Sequence, residues 1–80
     1  MFSLPPSLRL TRCDASRNMA RFYALSLEPT LFGEVMLIRN WGRIGTGGQM
    51  MIETFERAED ASAALHRLQR QKLRRGYSAD

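Results

Sequence analysis

Eighty residues suffice for one small domain, near the size at which a single core is only just stable on its own. An apolar content of 44% excludes a disordered chain, and a single cysteine with a single histidine excludes an internal disulfide and a Cys/His zinc site. The net charge of +4 is unevenly placed, at +3 over residues 1–27, −3 over 28–60 and +4 over 61–80. Eleven of the twelve cations are arginine, the side chain best shaped for bidentate contact with phosphate. A basic chain of this kind favours anionic partners, nucleic acid first among them. No window approaches the ~20 apolar residues of a membrane span. The start, Met-Phe-Ser-Leu-Pro-Pro-Ser, lacks the basic and apolar regions of a signal peptide. A cytoplasmic protein with no membrane association is expected.

Residues 1–7 read as a flexible tail, because Pro5-Pro6 resists both helix and sheet. Leu8–Cys13 alternates apolar and polar residues, the pattern of a half-buried strand. Asp14–Asn18 has turn composition. A second strand is expected from Arg21 to Glu28, with Tyr23, Leu25 and Leu27 on one face. Pro29 and Gly33 punctuate the connection that follows. The third strand runs from about Glu34 to Trp41, with Val35, Leu37, Arg39 and Trp41 on one face. Met36 and Ile38 on its other face suggest burial on both sides. A Gly-rich bend, Ile44–Gly48, leads into a fourth strand, Gln49–Phe55. Such short connections favour an antiparallel meander.

From Arg57 to Arg75 the period becomes helical. Ala61, Ala64, Leu65 and Leu68 form a narrow apolar stripe, with Glu59 and Asp60 in the first turn and arginines in the last, as the helix dipole favours. Gly76 is placed to end the helix. No strong N-cap is visible, Thr54 being the nearest candidate. The fold class is therefore α+β: an antiparallel sheet of about four strands with one C-terminal helix packed on it, residues 8–80 forming a single domain. Strand Leu8–Cys13 stands as an edge open to pairing with a second copy.

Catalytic constellations are not evident, and no cofactor or metal is implied. His66 reads as a surface residue of the helix, and Cys13 as a partly buried strand residue. The carboxylates Glu53, Glu56, Glu59 and Asp60 lack metal-ligand spacing. Gly45-Thr-Gly-Gly48 has no Gly-Lys-Ser/Thr and no helix directly after it, so it is not a nucleotide P-loop. Hairpin geometry accounts for most of its glycines.

Two features point to binding. Arg67, Arg70 and Arg74 form one basic stripe along the helix, in a stretch without acids from 66 to 75. Trp41-Gly42-Arg43 sets a flat aromatic face beside a planar cation, and Gly42 permits close backbone approach. Such a pair stacks on a sugar or base and holds a phosphate. The lone Trp of a small domain equally anchors a core.

The ordered set Arg21-Phe-Tyr-Ala-Leu, Trp41-Gly-Arg-Ile-Gly-Thr46, Gly48-Gln49, Phe55, Ala61, Leu65, Lys72 and Gly76-Tyr77 resembles the WGR domain. The likeness covers about residues 20–78. WGR domains occur in DNA-damage-dependent poly(ADP-ribose) polymerases and as small stand-alone chains. In the polymerases the motif Trp packs on the sugar of a terminal nucleotide and the motif Arg makes polar contacts beside it. The resemblance implies those roles for Trp41 and Arg43, with Arg21 as a lesser candidate and Tyr77 in the core. Eighty residues leave no room for the polymerase catalytic domain. The expected function is a non-catalytic nucleic-acid-binding module for DNA, with duplex ends or nicks as the candidate form. It would act through Trp41, Gly42, Arg43, Arg21 and Arg39 together with Arg67, Arg70 and Arg74. The alternative is a protein-interaction module that docks a catalytic or regulatory partner.

Overall fold

The computed structural model describes residues 7–79, so the expected tail lies outside the described residues apart from Ser7. Five strands and one helix follow in the order β1 (Leu8–Asp14), β2 (Met19–Pro29), β3 (Val35–Arg43), β4 (Gln49–Phe55), α1 (Ala58–Arg74) and β5 (Ser78–Ala79). All pairings are antiparallel, and the spatial order is β4-β3-β2-β1-β5. The meander and the C-terminal helix agree with the sequence pattern. The fifth strand does not, because two residues are too short to carry a period.

That fifth strand changes the expected open edge. Leu10 and Thr11 of β1 pair with Ala79 and Ser78, so part of the β1 edge is covered. Among the described residues, β4 is the longer strand that lies outermost. β2 also begins two residues earlier than expected, and β3 runs on through Gly42 to Arg43. Both strands therefore extend to the motif and carry it on a regular ladder.

The core lies between the sheet and α1. Tyr23, Leu25, Leu27, Val35 and Leu37 of the sheet meet Ala61, Ala64 and Leu65 of the helix, and all are buried. Leu68, the last residue of the apolar stripe, is half-buried at the margin. The two alanines let the helix approach the sheet closely, and each fully buried leucine contributes about 1.5–3 kcal/mol. Phe55 on β4 and Trp41 on β3 pack at the periphery of this cluster. The helix has no side-chain cap at its start, where Arg57 holds the N-cap position. Its end is a Schellman motif: the Tyr77 amide donates to the Lys72 carbonyl at 3.1 Å, and the Gly76 amide donates to the Leu73 carbonyl at 3.2 Å. Gly76, at φ 95°, supplies the left-handed residue that this motif needs.

The second face of the sheet departs from expectation. Met36 and Ile38 are only half-buried, and Met50 and Ile52 beside them are exposed. Burial on both sides of β3 does not occur, because the single helix covers one face. The exception is Phe22, buried on this second face beneath the Gly-rich bend, with the Arg9 guanidinium 5.5 Å from its ring centre. A Cβ on Gly48 would lie 2.9 Å from Phe22 Cζ and collide with the Trp41 carbonyl; one on Gly42 would lie 2.8 Å from Gly48 Cα. The close approach that Gly42 permits is thus made by the chain's own bend.

Candidate nucleic-acid interface

The β2–β3 register decides what surrounds the motif. Tyr23 is the direct partner of Trp41, and Arg21 of Arg43. On the next strand Arg12 lies opposite Arg21. Directly opposed residues share a face, so three arginines stand abreast across the sheet, one step beyond the Tyr23–Trp41 pair. Like charges set side by side destabilise a sheet unless something else uses them. Among the described residues none of the three forms an ion pair.

Tyr23 and Trp41 stack with ring centres 6.1 Å apart and planes 24° from parallel. Tyr77 meets Tyr23 edge-on at 6.4 Å, brought there by the turn that ends the helix. Lys72 lies over these rings, its Nζ 4.5 Å from the centre of Tyr23 and 5.7 Å from that of Tyr77. Burial lowers the Lys72 pKa below the usual 10.5, and the charges of Arg75 and Arg39 lower it further. The result is a cleft of about 430 Å³ lined by the aromatic residues Trp41, Tyr23, Tyr77 and Phe22 and by the cations Arg21, Arg43 and Lys72. Among the described residues no carboxylate lines it.

Arg43 is only partly available. Its Nη1 donates to the Asn18 carbonyl at 3.1 Å, and Nη2 to Asn18 Oδ1 at 3.4 Å. Asn18 is presented by the turn between β1 and β2, in the left-handed conformation at φ 49°. That turn is set by Asp14, whose Oδ1 accepts from the Ser16 amide at 3.1 Å and the Ser16 hydroxyl at 2.6 Å. The hydroxyl bond is the main reason the Asp14 pKa is lowered. A guanidinium has five N–H donors, so the two bonds to Asn18 fix its plane and leave donors on the outer edge.

The eight residues singled out by sequence fall into three groups. Arg21, Trp41, Gly42 and Arg43 converge on the cleft. Arg39 is half-buried outside it, with Nη2 3.7 Å from Glu53 Oε1 and 2.9 Å from Met51 Sδ, while its Nε is buried without a hydrogen-bond partner. Arg67, Arg70 and Arg74 line a separate groove on the helix with Leu68 and Gln71. Lys72 stands two residues from Arg70 and Arg74, about 200° around the helix, so the stripe faces away from the cleft.

Sequence reasoning missed Lys72, Tyr23 and Tyr77 as cleft residues. Tyr77 read as core, and it is half-buried with one side in the cleft. Lys72 carried two signals, as the only lysine in an arginine-rich chain and as a member of the ordered set that resembles the WGR domain. Of the reactive residues, His66 is exposed as expected, whereas Cys13 is exposed rather than partly buried. Cys13 lies on the uncovered face of the sheet, which explains the difference. Among the described residues no group of three or more His, Cys, Asp or Glu could hold a metal ion, and no helix is long and apolar enough to cross a membrane.

A five-stranded antiparallel sheet, one helix and a basic aromatic cleft at the sheet's end define a small α+β domain with the Trp-Gly-Arg motif at that cleft. The chain belongs to the WGR domain family, whose match spans residues 7–80. That family is a nucleic-acid-binding type of domain in poly(ADP-ribose) polymerases. The chain is 56% identical over 77 residues to an uncharacterized protein, y4dW, of Sinorhizobium fredii (strain NBRC 101917 / NGR234). The match covers 96% of this chain and 38% of that protein. A crystal structure of a Bacteroides fragilis protein shares the fold, with a TM-score of 0.80 at 24% identity, over 94% of this chain and 19% of that one. Both relatives are thus much longer than the region they share with this chain.

Proposed function

We propose that residues 8–80 form a non-catalytic nucleic-acid-binding module whose ligand is duplex DNA at an end or nick. The observation that carries this reading is the cleft: four aromatic residues and three cations line one concavity, and among the described residues no carboxylate joins them. A terminal sugar or base has an exposed face only where the duplex is interrupted, and Trp41 offers a partner for it. Arg21, and Lys72 with its ammonium over Tyr23 and Tyr77, are the cations placed to take the adjoining phosphate. Arg43, oriented by Asn18, contributes its outer donors at a fixed angle. The helix stripe adds attraction to the backbone that does not depend on sequence or end structure.

Fluorescence anisotropy with matched oligonucleotides tests this. Intact duplex, nicked duplex with and without a 5′ phosphate, and single strand are compared across salt concentrations. Tighter binding to the nicked form, lost in Trp41→Ala, supports the reading. Equal and steeply salt-dependent binding to all forms reduces it to a basic surface. Absence of binding at low salt sinks it and favours a protein-docking role, which the much greater length of the relatives also supports.

A further inference from the structure

The β2–β3 connection carries two large apolar side chains in the open: Leu31 is 97% exposed and Phe32 87%. A tip of this kind in a free chain is costly to leave in water, and it is not loose. Thr30 Oγ1 accepts from the Phe32 and Glu34 amides, both at 3.2 Å, and the Thr30 amide donates to the Glu34 carbonyl at 2.9 Å. The two side chains are therefore held out on a pre-formed turn, which lowers the entropy lost on docking.

The surroundings of the tip are acidic. Glu28 and Glu34 flank it in sequence. Phe55 pairs with Val35, so the end of β4 and the start of α1 lie at the same end of the sheet and bring Glu56, Glu59 and Asp60. Among the described residues Arg57 is the cation that stands with them, and it is paired with Glu59 at 3.4 Å. This charge disfavours a nucleic acid or an anionic membrane as the occupant. A basic-rimmed aromatic pocket fits it, and the chain has one at its other end. The cleft of about 430 Å³ is within the range of ligand pockets and has room for a benzyl and an isobutyl group. Its Arg21, Arg43 and Lys72 complement Glu28 and Glu34.

We propose that the Leu31–Phe32 tip of one copy inserts into the Trp41–Tyr23–Tyr77 cleft of a second copy, giving head-to-tail self-association. Tip and cleft are separated by the ladder from Arg21 to Pro29, roughly 26 Å at 3.3 Å per residue. No copy can fill its own cleft. Each docking event leaves one tip and one cleft open, so assembly continues beyond the dimer unless the rotation closes a ring. The proposal does not rest on nucleic-acid binding, and its test uses none, so either can fail alone.

Sedimentation velocity from micromolar to millimolar concentration reads the association directly. For the natural chain the weight-average coefficient rises with concentration and falls back as salt is added. Phe32→Ser, at an exposed position where folding is little affected, weakens association by more than about tenfold. Arg21→Glu, also exposed, does the same from the cleft side. Mixing the two variants restores one intact tip and one intact cleft, and yields a dimer that grows no further. A monomer at every concentration overturns the proposal. So does association that survives either variant, or a mixture that stays monomeric.

Discussion

The two ends of the β2–β3 hairpin solve the same problem in opposite ways. At the Trp41 end the chain packs against itself: Gly48 fits under Phe22 and the Trp41 carbonyl, Arg43 holds Asn18, and Tyr77 closes on Tyr23. At the Leu31 end the turn is closed by Thr30 alone, and its apolar side chains touch little. One end uses its apolar surface to build a cationic cleft, and the other presents its apolar surface outward in an acidic setting. Rigidity at the first end is therefore made of tertiary contacts, and at the second of one local hydrogen-bonded loop.

Glycine substitutions break this comparison most sharply. Gly48→Ala places a methyl group against the Trp41 carbonyl and Phe22 at φ 70°, and should cost at least ~3 kcal/mol in a urea unfolding curve. Gly33→Ala at φ 86° meets nothing within 4 Å, so only backbone strain remains, about 1 kcal/mol. Equal losses at the two sites would show that the bend is not packed as described. Trp41→Ala comes next. Loss of its half-buried ring and of the Tyr23 stack should destabilise the domain by about 2–3 kcal/mol. In anisotropy measurements on the folded variant, affinity for a nicked duplex should drop about tenfold.

A smaller effect separates the cleft from the helix stripe. Arg70→Gln with Arg74→Gln should lower the log–log salt slope by up to ~0.9 for each phosphate left without its arginine, and weaken all DNA forms alike. Arg21→Gln should instead narrow the difference between nicked and intact duplex. If the helix pair altered that difference and Arg21 did not, the binding face would lie on the helix.

The fold was legible because its signals are local and repeated. Tyr23, Leu25 and Leu27 alternate, Ala61, Ala64, Leu65 and Leu68 recur at helical spacing, and all but Leu68 are buried. Part of the candidate site was legible for the same reason, since Trp41, Gly42 and Arg43 are contiguous. The remainder depends on register. Nothing within Arg12 or Arg21 says that they will stand abreast of Arg43, and Tyr77 reaches the cleft only because Gly76 turns the chain at the helix end. Arg39 shares the Trp41 face as its period requires, but Glu53 and Met51 on the neighbouring strand engage it. The uncovered second face was misread because an apolar strand position does not reveal how many layers lie over it.

The smallest expected effect concerns Lys72, the cation set over Tyr23 and Tyr77. Its folded pKa lies below 10.5, chiefly through burial, while the unfolded chain keeps the ordinary value. Between those two values the unfolded state binds more protons than the folded one, so stability rises with pH across that window. Below it the lysine is charged in both states and the burial penalty is fully present. Lys72→Met should raise stability below the window and flatten the rise through it, read as urea midpoints against pH just under 10.5. An anion in the cleft favours the charged lysine, so phosphate binding there takes up a proton in the same window and weakens as pH rises. A natural chain whose DNA affinity falls through that window no faster than that of Lys72→Met would place the bound phosphate away from Lys72.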